Sequence, residues 1–365
     1  MTIKAGFFGF GLIGGSLAKH IRKAYPDATI YAYDIDTNGL NLAIEDGTLT
    51  AFCNSPDDKR FGECNYLYLC TPVSFAKDFL PYIKSYIKPD CILTDVGSVK
   101  NVIHKEIKQA GLGSYFIGAH PMAGSEKSGY QNATDTLFEN AYYILTPEAD
   151  TSKDMLERYT TFVASLGAIP LVLNYEEHDF VTAGISHLPH IAASALVNLV
   201  AANDSAAEHM KRVAAGGFKD ITRIASSSPI MWQNICLANR DAVLQLLDSY
   251  ISILQTMWEQ IDNQDEQAII DFFSSARTYR NNLSDAKKGA IHSFYAIQCD
   301  LTDRVGEIST ITSILAEHAL NLKNLGILHN REGMDGILQL EFYDEVTLHK
   351  ATEVLSEAGF PVFEN

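Results

Sequence analysis

The stretch Ala5-Gly6-Phe7-Phe8-Gly9-Phe10-Gly11-Leu12-Ile13-Gly14-Gly15-Ser16-Leu17 decides the fold. It opens on an apolar run, breaks into glycines and continues through Ala18-Lys19-His20-Ile21 as a helix. A Gly-x-Gly-x-x-Gly set between strand and helix is the fingerprint of a dinucleotide-binding turn. Gly9 permits the tight turn, Gly11 lets a pyrophosphate approach the backbone, and Gly14 lets helix and strand pack closely. The helix start offers unpaired N–H groups and the positive end of its dipole to phosphate. The next strand, residues 29–33, ends in Asp34, twenty residues after Gly14, where a carboxylate can hold a ribose. Asp34-Ile35-Asp36 brings no arginine for a 2′-phosphate, which favours NAD over NADP.

The alternation continues. Residues 66–70 read as a strand and pass through Thr71-Pro72-Val73-Ser74 into a helix, with Ser74 as its N-cap. Residues 91–94 read as a strand, and Asp95-Val96-Gly97-Ser98-Val99-Lys100 leads into a further helix. Ser98 is either a cap for that helix or a group touching the reacting centre. Such alternation implies a parallel, doubly wound sheet with ligands at the carboxyl ends of its strands. The turns at Gly9, Asp34, Thr71, Ser98 and His120 are then expected to share one crevice. His120 lies in residues 118–129, Gly-Ala-His-Pro-Met-Ala-Gly-Ser-Glu-Lys-Ser-Gly, which read as a loop after a short buried strand at 114–117. Imidazole suits proton exchange near neutral pH, although a merely hydrogen-bonded loop histidine fits this stretch as well. A strand at 141–145, a helix at 152–165 and a strand at 169–172 complete the region.

A chain of 365 residues is too long for one ordinary core, so two or three domains are expected. The net charge of -17 argues against nucleic acid or an anionic membrane as a main partner. A dianionic substrate would need local positive charge, which makes a cleft arginine informative. The six cysteines, at 53, 64, 70, 91, 236 and 299, form no Cys-x-x-Cys pair and read as free thiols in a reducing, cytoplasmic setting. No stretch reads as long and apolar enough to span a membrane.

From Asn174 the pattern turns helical, with Asn174 as a cap and Glu176-Glu177 in the first turn. His187 and His190 share a helix face, but no third ligand stands at a telling spacing, so no metal is expected. Asp220 and Arg223 are also at helical spacing; Arg223 either pairs with Asp220 or binds a ligand carboxylate bidentately. The apolar run 192–201 suggests burial against a second copy in a homodimer. Beyond a linker at 284–290, the order of strands and helices is βαββαβ, a ferredoxin-like unit. Gly306 in its first loop would allow a ligand near the backbone. The expected domains are a Rossmann-type α/β domain over 1–173, an all-α substrate and dimerisation domain over 174–285, and the small domain over 290–365.

Gly-Leu-Ile-Gly-Gly-Ser-Leu (11–17), Asp-Val-Gly-Ser-Val-Lys (95–100), His-Pro-Met-Ala-Gly-Ser-Glu-Lys-Ser-Gly (120–129), Ser-His-Leu-Pro-His (186–190) and Gly-Phe-Lys-Asp-Ile-Thr-Arg-Ile-Ala (217–225) together resemble the prephenate dehydrogenase family with a C-terminal ACT domain. The resemblance covers nearly the whole chain. It implies NAD-dependent oxidative decarboxylation of prephenate to 4-hydroxyphenylpyruvate, on the route to tyrosine. It implies that His120 accepts the hydroxyl proton and that Ser98 orients His120 and the nicotinamide. Arg223 would bind a substrate carboxylate with Asp220 holding it, and His190, Ser125 and Glu126 would complete the substrate site. Gly9, Gly11, Leu12, Ile13, Gly14, Asp34, Thr71, Pro72 and Ser98 would contact the cofactor. Feedback by tyrosine through Asp303 and Gly306 is a further implication, although family members often carry a proline in that loop and Asp303-Arg304-Val305-Gly306 does not. Arogenate dehydrogenase, with the same fold and hydride step, is the nearest rival; a non-catalytic NAD and amino-acid sensor is the other.

Overall fold

The computed structural model describes residues 2–124, 127–285, 295–301, 304, 306–328 and 336–364. Two compact units are present, Met1–Trp258 and Glu259–Asn365.

In the first unit, β1 (Lys4–Phe8), α1 (Leu12–Ala24), β2 (Thr29–Tyr33), α2 (Thr37–Glu45), β3 (Ala51–Phe52), β4 (Tyr66–Leu69), α3 (Val73–Tyr86), β5 (Ile92–Asp95) and α4 (Asn101–Ala110) build a doubly wound layer. Its five-stranded sheet is parallel with order β3-β2-β1-β4-β5. The central strands β1 and β4 are almost wholly buried, which is why they read as unbroken apolar runs rather than alternating ones. Every ligand loop that leaves β1, β2, β4 and β5 does so at the same edge of this sheet.

Two expectations are corrected at the end of this layer. The segment with His120 is not a loop: β6 (Ile117–Pro121) is a strand, and residues 113–115 form a 3₁₀ turn where a strand was expected. Strand β6 pairs antiparallel with β7 (Tyr142–Pro147), placing His120 opposite Ile144. Pairing overrides the poor strand chemistry of Gly118 and Pro121, and Pro121 is tolerated because β6 is an edge strand. Strand β7 pairs in parallel with β8 (Ile169–Val172) after helix α5 (Lys153–Ser165), so these strands form a second sheet, β6-β7-β8. A single bridge, Leu93 to Phe116, links its side to β5. Helix α3 begins at Val73 with Pro72 as its cap, not Ser74.

Asn174 caps α6 (Tyr175–Thr182) by accepting from Glu177 N at 2.7 Å. A π-helical turn, Ala183–His187, follows and passes into α7 (Leu188–Asn203). Its cause is Pro189: proline has no N–H for the carbonyl four residues back and its ring crowds that carbonyl, so the turn widens. Leu188 N–H then reaches back five residues to Ala183 O. The joined helix Tyr175–Asn203 is, by length and composition, long and apolar enough to cross a membrane, which corrects the expectation that no stretch is. His178, Asp179, Thr182 and His187 are nonetheless buried within the protein in its first half. Helices α8 (His209–Val213), α9 (Gly216–Thr222), α10 (Pro229–Ala238) and α11 (Arg240–Asp262) follow. Leu199 on α7, Leu237 on α10 and Trp258 on α11 are exposed, a level of apolar exposure that suits a further protein surface.

The second unit includes α12 (Glu266–Asp285) and the set β9 (Tyr295–Leu301), α13 (Glu307–Glu317), β10 (Leu322–Leu328), β11 (Gly336–Phe342), α14 (Glu345–Glu357) and β12 (Val362–Glu364). Its antiparallel sheet has order β10-β11-β9-β12, the βαββαβ arrangement expected. Alternate residues of β11 face the core shared with Ile311, Leu315, Leu348 and Leu355 of the two helices. Of the linker at 284–290, residues 286–290 lie outside the described residues.

Candidate active site

The glycine turn is shaped from the sequence upward. Gly9 sits at φ +92°, and a Cβ there would come within 2.8 Å of the Cys70 backbone. A Cβ on Gly14 would lie 2.6 Å from Gly9 O, whereas one on Gly11 would meet nothing within 4 Å. Close packing is thus concentrated under Gly9 and Gly14, and the space beside Gly11 is open. Leu12 and Ile13 begin α1, whose amino end has no side-chain cap. The Asp34 carboxylate accepts from Phe10 N and, at 2.7 Å, from Asp36 N, which ties the end of β2 to the glycine turn. Thr71 Oγ1 is buried with no hydrogen-bond partner among the described residues, beside Pro72 at the start of α3. An open floor at Gly11, an uncapped helix end and an orphan hydroxyl fit a bound dinucleotide.

His120 faces the helical part of the same unit. Its Nδ1 is 2.9 Å from Nε2 of His178, and Nε2 makes no hydrogen bond with a described residue. His178 Nδ1 donates to Asp179 Oδ1 at 2.8 Å. The same carboxylate accepts from Lys100 N at 2.7 Å, Asn101 N at 2.8 Å and Asn101 Nδ2 at 2.7 Å. Asp179 therefore closes the amino end of α4, and Ser98, half-buried in the loop before it, is not the cap. Beneath His120, Lys100 is fully buried and its Nζ donates to Asp95 and to Ala119 O. Asp95 Oδ1 accepts from Ala119 N at 3.1 Å.

These surroundings keep His120 neutral. Burial lowers its pKa well below the usual histidine value, and His178, Lys100 and His187 act in the same direction. Burial likewise lowers His178, and it takes His187 down to about 4. His20 and His104 are lowered for the same first cause. An unfolded histidine titrates near 6.5. Below that pH the unfolded chain binds protons that the folded chain refuses, so stability is lost as pH falls through the folded-state values. The melting temperature should therefore drop from pH 7.5 to pH 5.5, each group contributing at most about 1.4 kcal/mol per pH unit. A flat profile by calorimetry would mean these rings are protonated in the fold.

His190 donates from Nδ1 to Ser186 O at 2.8 Å and stacks on Trp232 at 3.7 Å between ring centres. A cavity of about 420 Å³ is lined by His190, Ser194, Asn198, Ile224, Ser227 and Trp232. Arg223 opens the 3₁₀ turn, residues Arg223–Ser226, that supplies one wall. Asp220 is on α9 just before it, and both residues are exposed. Ser125, Glu126 and Asp303 lie outside the described residues. Gly306 precedes α13 at φ +94°.

Sequence reasoning passed over His178, Asp179, Asn239 and Trp232. Asn239 Nδ2 donates to Asp179 O at 2.7 Å and to His187 Nδ1 at 3.1 Å. One signal was available: His178, Asp179, Thr182 and Ala183 repeat at one helical face, and a polar pair on a buried face needs partners.

Comparison with known proteins bears on the whole chain. A family model described as "Prephenate dehydrogenase, nucleotide-binding domain" matches residues 17–171, and one described as "Prephenate dehydrogenase, dimerization domain" matches residues 174–275. The chain is 37% identical over 353 residues to prephenate dehydrogenase of Bacillus subtilis, covering 95% of this chain and 94% of that protein. Among solved structures it is similar to prephenate dehydrogenase from A. aeolicus in complex with hydroxyphenyl propionate and NAD+, with TM-score 0.73, 30% identity, and 78% of this chain and 99% of that one covered. It is also similar to Synechocystis arogenate dehydrogenase, with TM-score 0.67, 27% identity, and 78% and 99% covered.

Proposed function

The chain belongs to the prephenate dehydrogenase family, and from that premise we propose that it oxidises and decarboxylates prephenate to 4-hydroxyphenylpyruvate with NAD. The observation that carries the chemistry is a neutral His120 whose Nε2 is unengaged by the described residues. NAD, when bound, would supply the acceptor for the hydride that leaves the ring carbon bearing the hydroxyl. That hydroxyl must lose its proton as the carbonyl forms, and His120 accepts it. The departing carboxylate leaves its bonding electrons to the ring, which becomes aromatic, so the reaction runs one way. Gly9, Gly11, Leu12, Ile13, Gly14, Asp34, Thr71 and Pro72 hold the dinucleotide, and Ser98 lies at the nicotinamide end. His190 lines the substrate pocket, Asp220 holds the Arg223 guanidinium, and Ser125 and Glu126 serve substrate recognition.

Arg223 pairs with a substrate carboxylate. Arg223→Ala should raise KM for prephenate by about 10- to 100-fold, the value of a charge-assisted hydrogen bond, with a smaller change in kcat. An unchanged KM would return Arg223 to a structural role. The decisive assay follows NADH with NAD and prephenate, then arogenate. The likeness to an arogenate dehydrogenase makes the second substrate the necessary control. Turnover of arogenate alone would keep the mechanism and change the substrate; turnover of neither would overturn the reading.

Four further parts belong to the same proposal. The apolar faces of α7, α10 and α11 meet a second copy, so sedimentation at micromolar concentration should find a dimer. The βαββαβ unit carries tyrosine inhibition, with Asp303 and Gly306 at its effector site, so added tyrosine should slow the full-length enzyme. The protein works in the cytoplasm, where its free cysteines stay reduced. Its domains are taken as 1–173, 174–285 and 290–365.

A further inference from the structure

We propose that His178 and Asp179 are positioning residues for the reaction: together they decide which nitrogen of His120 carries hydrogen and leave Nε2 as its proton acceptor. The inference rests on His120 being the base.

It follows from a chain of single-valued hydrogen-bond roles. An ionised carboxylate only accepts. All four hydrogen bonds to the Asp179 carboxylate among the described residues come from N–H donors: Lys100 N, Asn101 N, Asn101 Nδ2 and His178 Nδ1. His178 must therefore carry its hydrogen on Nδ1. A neutral His178 then has only a lone pair at Nε2, so the 2.9 Å contact requires His120 Nδ1 to donate. A neutral His120 that donates from Nδ1 presents its lone pair at Nε2. The opposite tautomer of His120 would put two lone pairs face to face across that contact. Were His178 a cation, both its nitrogens would donate and His120 would carry hydrogen on Nε2, unable to take a proton from the substrate.

The surroundings hold His178 in the required state. It is fully buried, with Asp179, Asp95, Lys100, His120 and His187 as the charged or titratable groups around it. Its backbone is fixed as well, since Thr182 Oγ1 donates to His178 O at 3.0 Å and Asn239 Nδ2 to Asp179 O at 2.7 Å. When the substrate O–H breaks, its proton joins His120 Nε2, and the resulting cation still donates from Nδ1 to the His178 lone pair. No group has to turn.

Asp179 also closes the amino end of α4, so substitutions there would mix two roles. His178 separates them. In the full-length enzyme with NAD and prephenate, His178→Phe removes the acceptor and should lower kcat at least about 10-fold, with KM for NAD unchanged. His178→Gln supplies an amide oxygen in its place and should recover most of that loss. Equal losses in both variants, or none in either, would overturn the proposal. His120→Asn is measured alongside: if it keeps wild-type kcat, the reading of His120 as base fails, whereas an inactive His120→Asn beside a fully active His178→Phe rejects the positioning role alone. Should His178→Phe not fold, ¹⁵N spectra of the wild-type imidazoles decide. Hydrogen on Nδ1 and a lone pair on Nε2 of His120 support the proposal, and the reverse overturns it.

Discussion

Replacing His120 with asparagine should lower kcat by about 10²–10⁴-fold while leaving KM for prephenate and NAD nearly unchanged. Asparagine is close in size and keeps a side-chain amide that can donate to His178, so the packing of β6 on β7 is preserved. What it lacks is a nitrogen basic enough to accept a proton as the alcohol becomes a carbonyl. Without it the hydroxyl proton must pass to water, and the barrier rises in the chemical step only. In the proposed reading, ground-state binding falls instead to the glycine turn, Asp34 and Arg223. The expected signature is thus a loss in kcat and kcat/KM of similar size. Steady-state kinetics above saturating NAD would show it, with NAD binding measured separately by fluorescence. A wild-type kcat would remove His120 from the mechanism. A loss confined to KM would make it a binding group.

How much of this was legible in the sequence depends on range. The glycine turn, Asp34 at the end of β2 and the Asn174 cap are local devices, each with a residue type that the backbone demands, and each is where the sequence puts it. The βαββαβ order of the small unit was readable for the same reason. The strand that carries His120 was not, because Gly118 and Pro121 disfavour it locally and only pairing with β7 creates it. The partners of His120 come from Lys100 and His178, separated by 78 residues and brought together by the Asp179 contacts to the start of α4. Nothing in the spacing of Ser98 from the following helix reveals that a carboxylate from α6 takes the capping role. Periodicity reports faces of one element; it is silent about which buried polar groups from distant elements satisfy one another.

The largest expected effect on stability comes from Lys100, which the sequence shows only as a residue at a helix mouth. Lys100→Met should destabilise the Met1–Trp258 unit by about 3–5 kcal/mol and lower its melting temperature by roughly 10 °C. Both members of the Lys100–Asp95 pair are almost completely buried. Burial pulls the lysine pKa down, and Asp95 pulls it back up. Together the two side chains hold the backbone of one residue on both sides: Asp95 accepts from Ala119 N, and Lys100 donates to Ala119 O. They stand in for a ladder between β5 and β6, which among the described residues are linked only by the bridge from Leu93 to Phe116, just before β6. Methionine fills the space of lysine but leaves the Asp95 carboxylate buried without its cation. The double variant Asp95→Asn with Lys100→Met removes that charge too and should regain most of the loss, because a buried pair is costly chiefly when half of it remains. Activity supplies a second readout. The Lys100 charge lowers the proton affinity of His120, so its removal should move the acid limb of kcat/KM to higher pH in both variants. Single and double variants that lose stability additively would show that the two side chains act independently; an unmoved acid limb would mean that Lys100 serves the fold alone.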